Sequence, residues 1–251
     1  MSTIRAFALM TLKGLTRRRT FWGIALVTLI ALAGIGSIPS YDVTGEGRFM
    51  IDMGLFGIEI GSLLLAIGLA SNMFPRDRES RSVMPLLAVP LSRTQYVLGR
   101  FAGAALVQTA AIMVWCACLG LILAVNGYYV PEAMLPASIL LVAEGWFLLA
   151  VVLFFSFWTS PPLNAPLTLL LFIVCQMTPA QFSGLLPGAE RVMEALRMLL
   201  PRMDVFHIKD PVAHRIPVPT AYFLLASVYG LAYTSFMLSL AIAVFRRRDL
   251  K

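Results

Sequence analysis

Long apolar runs alternate with short polar segments along the whole chain. Six runs are long enough to cross about 30 Å of hydrocarbon at 1.5 Å of rise per residue. We therefore predict an all-α integral membrane protein, in which residues 1–251 form one transmembrane domain. The predicted spans are residues 21–38, 51–74, 101–125, 137–159, 165–186 and 222–245. Only residues 160–164 separate the fourth and fifth runs, but Pro161, Pro162 and Asn164 favour a tight turn there over one very long helix.

The first polar segment, residues 1–19, predicts an amphipathic helix. Ile4, Phe7, Leu12 and Leu15 recur at helical spacing, and a run of three arginines ends the segment. This pattern is typical of a helix that lies on the membrane surface. The alternative is the charged leader of a signal peptide, but the apolar run that follows continues to Ile38 and further spans come after it.

The segment between the second and third spans, called here the 75–100 loop, is a charged region with an apolar centre. Its prolines Pro85 and Pro90 interrupt any long helix. We expect a short amphipathic helix from about Asp77, a turn, and a new helix that starts near Ser92. Leu86 and Leu87 lie among arginines, a pattern that predicts a docking surface for another protein.

Composition supports the membrane class. The chain is 59% hydrophobic and 13% charged, with a mean hydropathy of +0.83, whereas a soluble domain carries about 25% charged residues. The net charge of +7 does not indicate nucleic-acid binding, because the basic residues flank apolar runs. All three cysteines fall inside such runs, which argues against a structural disulfide or a zinc site.

The distribution of basic residues predicts that both termini are cytoplasmic. With the N-terminus inside, fourteen Lys and Arg residues lie on the inner side and six on the outer side, as the positive-inside rule favours. The predicted outer loop, residues 187–219, departs from the rule because it holds five of those six.

Within the predicted outer loop, residues 190–200 predict a short interfacial helix, with an ordinary loop as the alternative. Two histidines without a nearby third ligand, His207 and His214, do not by themselves predict a metal site.

Small residues mark one face of the second span. Gly54, Gly61 and Gly68 recur every seven residues, and Gly57 and Gly61 form a small-residue packing motif. We expect this face to press on a neighbouring helix. The opposite face carries Glu59 and should avoid lipid.

We predict that the acidic side chains of Glu59 and Glu144 are buried. From the outer ends of their spans they lie roughly 12 Å and 10 Å deep, so we expect them at a similar level. The predicted spans contain no Lys, Arg or His, and we therefore expect the partner of Glu144 to come from another span or from water. Either the acids are neutral packing groups, or they line a substrate path near its outer exit.

An aromatic stripe runs along the sixth span through Tyr222, Tyr229, Tyr233 and Phe236. Helix packing is the first interpretation of this stripe, and a surface that contacts substrate is the alternative.

The sequence lacks three common motifs for ATP binding and hydrolytic catalysis. The sequence has no G-x-x-x-x-G-K-[ST] phosphate loop, no H-E-x-x-H and no G-x-S-x-G, so we expect no ATP hydrolysis or catalysis by this chain through those motifs.

The 75–100 loop resembles the cytoplasmic loop of permease subunits in the type-two (ABC-2) exporter family of ABC transporters. Asp77 and Glu79 match the acidic pair of that loop, and 86–90 match its apolar run, which ends in a proline. Ser92-Arg93 match the Ser-Arg step, and Gly99-Arg100 stand where the family has Gly-Lys. The tail, residues 244–250, resembles the family's usual ending. Six spans and an amphipathic N-terminal helix extend the likeness to small bacterial members without a large outer domain.

This resemblance implies a transport subunit and no enzyme. Two permease chains, identical or different, would face each other in the bacterial cytoplasmic membrane, each above a separate ATPase that binds ATP and Mg²⁺; this chain itself would hold no cofactor. The 75–100 loop would couple the ATPase to the helices through Asp77, Glu79, Arg81, Leu86, Leu87, Pro90 and Arg93. The candidate path residues are Glu59, Glu144, Tyr229 and Tyr233. The alternatives from other classes are an ATP-independent channel or secondary carrier, and an integral-membrane enzyme.

Overall fold

The computed structural model describes residues 2–37, 47–71, 73, 92–176, 201–214, 216 and 218–247, and every regular element within these ranges is helical. The helices are α1 (Ser2–Thr16), α2 (Arg19–Gly36), α3 (Arg48–Ala70), α4 (Arg93–Val125), α5 (Met134–Trp158), α6 (Pro161–Gln176), α7 (Lys209–Ala213) and α8 (Thr220–Arg247), with a 3-10 turn at Met203–Phe206. Among the described residues, five helices are long and apolar enough to cross a membrane: α2, α3, α4, α5 and α8. The chain is therefore a helical membrane protein, and the sixth predicted span stays a prediction.

α4 begins where the sequence predicts a helix start. Ser92 forms a capping box, in which its hydroxyl accepts a hydrogen bond from the Gln95 amide at 3.2 Å and its own amide donates to Gln95 Oε1 at 3.0 Å. The helix runs for 33 residues, or about 50 Å. Because this exceeds the thickness of the hydrocarbon layer, α4 extends beyond the apolar core at its ends. The acidic pair and the apolar run of the 75–100 loop lie outside the described residues.

α6 follows α5 after a break at Thr159 and Ser160, shorter than the predicted turn. Asn164 is already helical and donates its side-chain amide to the Val152 carbonyl at 3.0 Å, which ties α6 to α5. The 16 residues of α6 reach about 24 Å, less than a full hydrocarbon layer. The rest of the predicted fifth span, residues 177–186, and the predicted interfacial helix at 190–200 lie outside the described part of the chain.

α5 is the central helix of the bundle. It packs against α3, α4, α6 and α8, and its apolar side chains are buried along almost its whole length. α2 packs on α3 at the periphery, and α1 packs on α4. In contrast to α5, α2 exposes Trp22, Leu26 and Ile30, as expected of a helix that faces lipid on one side.

The glycine face of α3 presses on its neighbours, which confirms the expectation from sequence. A Cβ atom at Gly61 would lie 2.6 Å from Thr28 Oγ1 on α2, and one at Gly68 would lie 2.8 Å from Ile24 Cδ1. A larger residue at either position would have to displace the facing side chain of α2, so these glycines let α2 and α3 approach closely.

Basic residues gather at one end of the bundle, called here the basic end. Arg100 on α4 lies 3.5 Å from the Thr11 hydroxyl on α1, and Arg246 on α8 donates to the Thr94 hydroxyl at 3.0 Å. The described chain therefore brings α1, the start of α4 and the end of α8 together. The 201–214 segment lies toward the opposite end.

Candidate functional site

Glu59 and Glu144 meet inside the bundle, as their predicted depths require. Glu59 lies on α3 and Glu144 on α5, and their side chains are only 1% and 2% exposed. The two helices approach closely beside the acids because Gly145 leaves room between them. A Cβ atom at Gly145 would lie 2.8 Å from Gln108 Nε2 and 2.9 Å from the Ser62 hydroxyl. Gln108 and Ser62 also share a hydrogen bond of 3.0 Å, which links α4 to α3 at this point.

The 201–214 segment supplies basic side chains that pair with Glu59 and Glu144. Met203, Phe206, Ile208 and Val212 are buried in the main core, so this apolar pattern anchors the segment against α3 and α5. His207 lies between two of the anchors, and Lys209 begins α7. The anchoring therefore carries two cations into the space beside the carboxylates.

Three elements and the end of α6 converge in what we call the buried cluster: Glu59, Glu144, Gln176, His207 and Lys209. His207 Nε2 lies 3.0 Å from Glu59 Oε1 and 3.5 Å from Glu144 Oε1. Lys209 Nζ pairs with the other oxygen of Glu59, Oε2, and also lies 5.0 Å from the centre of the Phe56 ring. The Gln176 amide donates to Glu59 Oε1 and lies 3.4 Å from His207 Nε2.

The surroundings of His207 favour its protonated, positively charged form. Burial alone would lower its pKa, but the nearby carboxylates of Glu144 and Glu59 outweigh burial and raise the pKa to about 9. With Lys209, the segment thus offers two positive charges to two carboxyl groups. Charge neutralisation of this kind makes burial of acids in an apolar bundle tolerable.

The pairing of Glu144 differs from the expectation. Its ion-pair partner is His207, which comes from a segment between spans, so the prediction of a partner from another span or from water is wrong. Among the described residues, neither carboxylate oxygen of Glu144 has a hydrogen-bond partner. Glu144 is therefore the least satisfied member of the buried cluster.

The aromatic stripe of α8 packs at its middle, through Tyr229 and Tyr233, whereas Tyr222 at its start is exposed. The rings of Tyr229 and Tyr233 lie 4.7 Å apart, and Tyr233 contacts Phe147 at 6.3 Å between ring centres. The Tyr229 hydroxyl accepts a hydrogen bond of 2.8 Å from the Arg202 amide, and its ring lies 6.1 Å from Phe206. These contacts put both tyrosines beside the buried cluster but not in it. Phe236, at the far end of the stripe, is exposed.

A second group of predicted residues meets at the basic end. Arg93 donates to the carbonyl oxygens of Phe245 and Arg246 at 3.0 and 2.8 Å, and its guanidinium lies 5.7 Å from the Phe245 ring centre. Tyr96 stacks on Phe245 at 5.5 Å. The Ser-Arg step of the 75–100 loop and the tail that resembles the family ending thus touch each other. The remaining predicted coupling residues, Asp77, Glu79, Arg81, Leu86, Leu87 and Pro90, lie outside the described residues.

Sequence reasoning missed His207, Lys209 and Gln176 as cluster members. One signal was available: the 187–219 loop holds more basic residues than an outer loop should. Lys209 accounts for part of that excess, since its charge is paired with a carboxylate inside the bundle. Comparison with known proteins finds no family model and no curated protein that matches this sequence.

Proposed function

We propose that this chain is the membrane-spanning permease subunit of an ATP-driven ABC transporter, of exporter type. The observation that carries the proposal is the contact of Arg93 with the carbonyls of Phe245 and Arg246. It joins the end of the 75–100 loop to the last helix, so that movement of the loop would be passed directly to α8. α8 in turn packs on the central helix α5.

The proposal places both termini in the cytoplasm and adds a sixth span, of which α6 is the described part. α6 starts beside Val152 near the end of α5 and finishes beside Glu59 in α3, so its direction alternates with that of α5 and α8. The basic end would be cytoplasmic by the positive-inside rule. A cysteine at Ser82 should then be labelled only from the cytoplasmic side and one at Gly188 only from outside. Labelling of position 188 from the cytoplasm would contradict six spans.

The motor would be a separate ATPase that holds ATP and Mg²⁺, and a second permease chain, identical or different, would complete the transporter in a bacterial cytoplasmic membrane. The test is copurification of an ATPase subunit with the tagged chain, followed by Leu87→Asp and Arg81→Glu. Both variants should insert normally but lose the ATPase or its coupling, because a new charge at the centre of a small interface weakens binding strongly. Glu132→Gln, at an exposed position next to α5, is the control. Unchanged ATPase recovery and transport-coupled hydrolysis in both loop variants would refute the coupling role.

The substrate path would pass the buried cluster, with Tyr229 and Tyr233 on its wall. Glu144→Gln keeps the shape of the side chain and removes its ionisable proton. Transport that falls while folded yield and ATPase binding hold would support a path through Glu59 and Glu144. Normal transport by Glu144→Gln between pH 6 and 8 would assign the acid to packing.

A secondary carrier is the second candidate, because buried carboxylates paired with a histidine are typical of ion-coupled and proton-coupled carriers. The two functions differ in their energy source. Transport by the reconstituted chain alone, driven by an ion gradient without ATP, would favour the carrier and exclude the ABC assignment.

A further inference from the structure

We propose that Glu59, Glu144 and His207 form a binding site for one divalent transition-metal ion, with Zn²⁺ as the preferred ion. One carboxylate oxygen of each acid and a ring nitrogen of the histidine lie within 4.8 Å of one another, and these are the ligand atoms of the site. The site goes beyond the proposed transport function and does not depend on it. It adds an ion that would clamp the 201–214 segment onto α3 and α5.

The spacing of the ligand atoms fits a small ion. Oxygen and nitrogen ligands about 2.0–2.2 Å from Zn²⁺ lie roughly 3.2–3.6 Å apart in a tetrahedral site. His207 Nε2 lies 3.0 Å from Glu59 Oε1 and 3.5 Å from Glu144 Oε1. These two distances are close to the tetrahedral spacing, and the two carboxylate oxygens, which lie within 4.8 Å of each other, would move toward each other to share one ion.

Glu144 supplies an independent indication of a ligand. Its side chain is 2% exposed, and neither of its oxygens has a hydrogen-bond partner among the described residues. A buried carboxylate without hydrogen bonds is costly. A metal ion at the Glu59–His207 position would satisfy it with a short bond.

Lys209 and Gln176 both contact the Glu59 carboxylate. Lys209 pairs with Oε2 of Glu59, so Oε1 is the oxygen that faces His207 and Glu144. Outer contacts of this kind orient metal ligands. Gln176 lies beside Glu59 Oε1 and 3.4 Å from His207 Nε2, and a half-turn of its amide would present an oxygen as a fourth ligand.

A small cavity adjoins the site at His207 and Lys209. His207 and Lys209 are 17% and 18% exposed. Together with Phe206 and Leu55, they line a cavity that has room for about one water molecule. Two carboxylates and one imidazole favour Zn²⁺ over Mg²⁺, which binds mostly oxygen ligands and keeps its waters. The ion must displace the Nε2 proton of His207, and the nearby charge of Lys209 opposes it.

The test uses the full-length, tag-free protein in detergent, stripped with chelator and then given Zn²⁺ or Mg²⁺. We expect one Zn²⁺ per chain to remain after desalting and to raise the unfolding temperature, with no such effect of Mg²⁺. Glu144→Gln and His207→Gln should each weaken Zn²⁺ binding at least tenfold. The matched controls Glu132→Gln and His214→Gln, at exposed positions outside the cluster, should bind as the wild type does.

A spectroscopic measurement keeps the test independent of variants that fail to fold. Co²⁺ bound to the wild-type protein should give visible absorption of four- or five-coordinate nitrogen and oxygen ligation, and X-ray absorption of the Zn²⁺ form should show one imidazole. Absence of stoichiometric Zn²⁺, binding that survives in both cluster variants, or sulfur ligation by Cys116, Cys118 or Cys175 would overturn the site.

Discussion

The basic end and the buried cluster both use cations to join segments that are far apart in the sequence, but they do so in different surroundings. At the basic end, Arg93 lies at a partly exposed position and takes its partners from the last carbonyls of α8. In the buried cluster, Lys209 and His207 reach carboxylates that are almost fully enclosed. The first contact tolerates loss because water can replace it. The second does not, because an unpaired carboxylate in an apolar bundle has no such substitute.

The largest expected effect follows from removing Lys209, one of the two cations that pair with Glu59. Lys209→Met should lower the free energy of unfolding by about 3 kcal/mol, since it leaves Oε2 of a buried carboxylate without its cation. Thermal and denaturant unfolding of the protein in detergent measure this change. Lys13→Met, at an exposed position on α1, is the control and should change stability little.

A double variant tests whether the loss of the Glu59–Lys209 ion pair, rather than a loss of packing, explains the lower stability of Lys209→Met. In the double variant Glu59→Gln, Lys209→Met, the charge that needed a partner is gone, so much of the lost stability should return. If the double variant is less stable than Lys209→Met alone, the ion pair is not the reason for the loss.

The next largest effect concerns packing at the basic end. A Cβ atom at Gly103 would lie 2.7 Å from the Ala8 carbonyl oxygen and 2.6 Å from Thr11 Cβ on α1. Gly103→Ala should therefore displace α1 from α4 and cost about 1–3 kcal/mol. Gly14→Ala is the matched control, because a Cβ there meets nothing within 4 Å; it should stabilise α1 slightly. Equal effects of the two substitutions would show that α1 does not depend on this close contact.

Arg93→Ala tests the polar contact of the basic end. We expect a loss of about 1 kcal/mol, because the hydrogen bonds are charge-assisted but partly exposed. Hydrogen exchange should become faster near Phe245 and Arg246, where α8 loses its partner. Arg93→Lys keeps the charge but cannot reproduce the two-carbonyl contact, so it should fall between the wild type and Arg93→Ala. Unchanged exchange in Arg93→Ala would mean that the contact does not hold the end of α8.

The smallest expected effect is the different salt dependence of the Arg93 contact and the Lys209 ion pair. Raising NaCl from 0.1 to 1 M should reduce the stability difference between the wild type and Arg93→Ala by no more than about 0.5 kcal/mol, because exposed charges are screened. The difference caused by Lys209→Met should stay constant. A salt response of the Lys209 pair as large as that of Arg93 would show that water and ions reach Glu59.

These two regions also differ in how far sequence predicts them. The helix start at Ser92 depends on local capping chemistry, and the glycine face of α3 on a seven-residue repeat, so both are visible in sequence. The common level of Glu59 and Glu144 follows from rise per residue alone. The choice of His207 and Lys209 as partners does not, because it depends on how Met203, Phe206 and Ile208 anchor a segment between spans. Nothing in the local pattern around Glu144 indicates that a loop returns to it.

The long separation between Glu59 and Lys209 has a consequence for biosynthesis. The two residues are 150 positions apart, so at 5–20 residues per second Glu59 leaves the ribosome roughly 8–30 s before Lys209 does. During that interval α3 must enter the membrane without Lys209 and His207, the cations that later pair with its acid. The nascent bundle is therefore expected to carry Glu59 protonated or facing water until the final loop arrives, and docking of residues 201–214 becomes a late step of maturation. A chain truncated before residue 201 should accordingly be a preferred substrate for membrane quality-control proteases, even though α1 to α6 are already made.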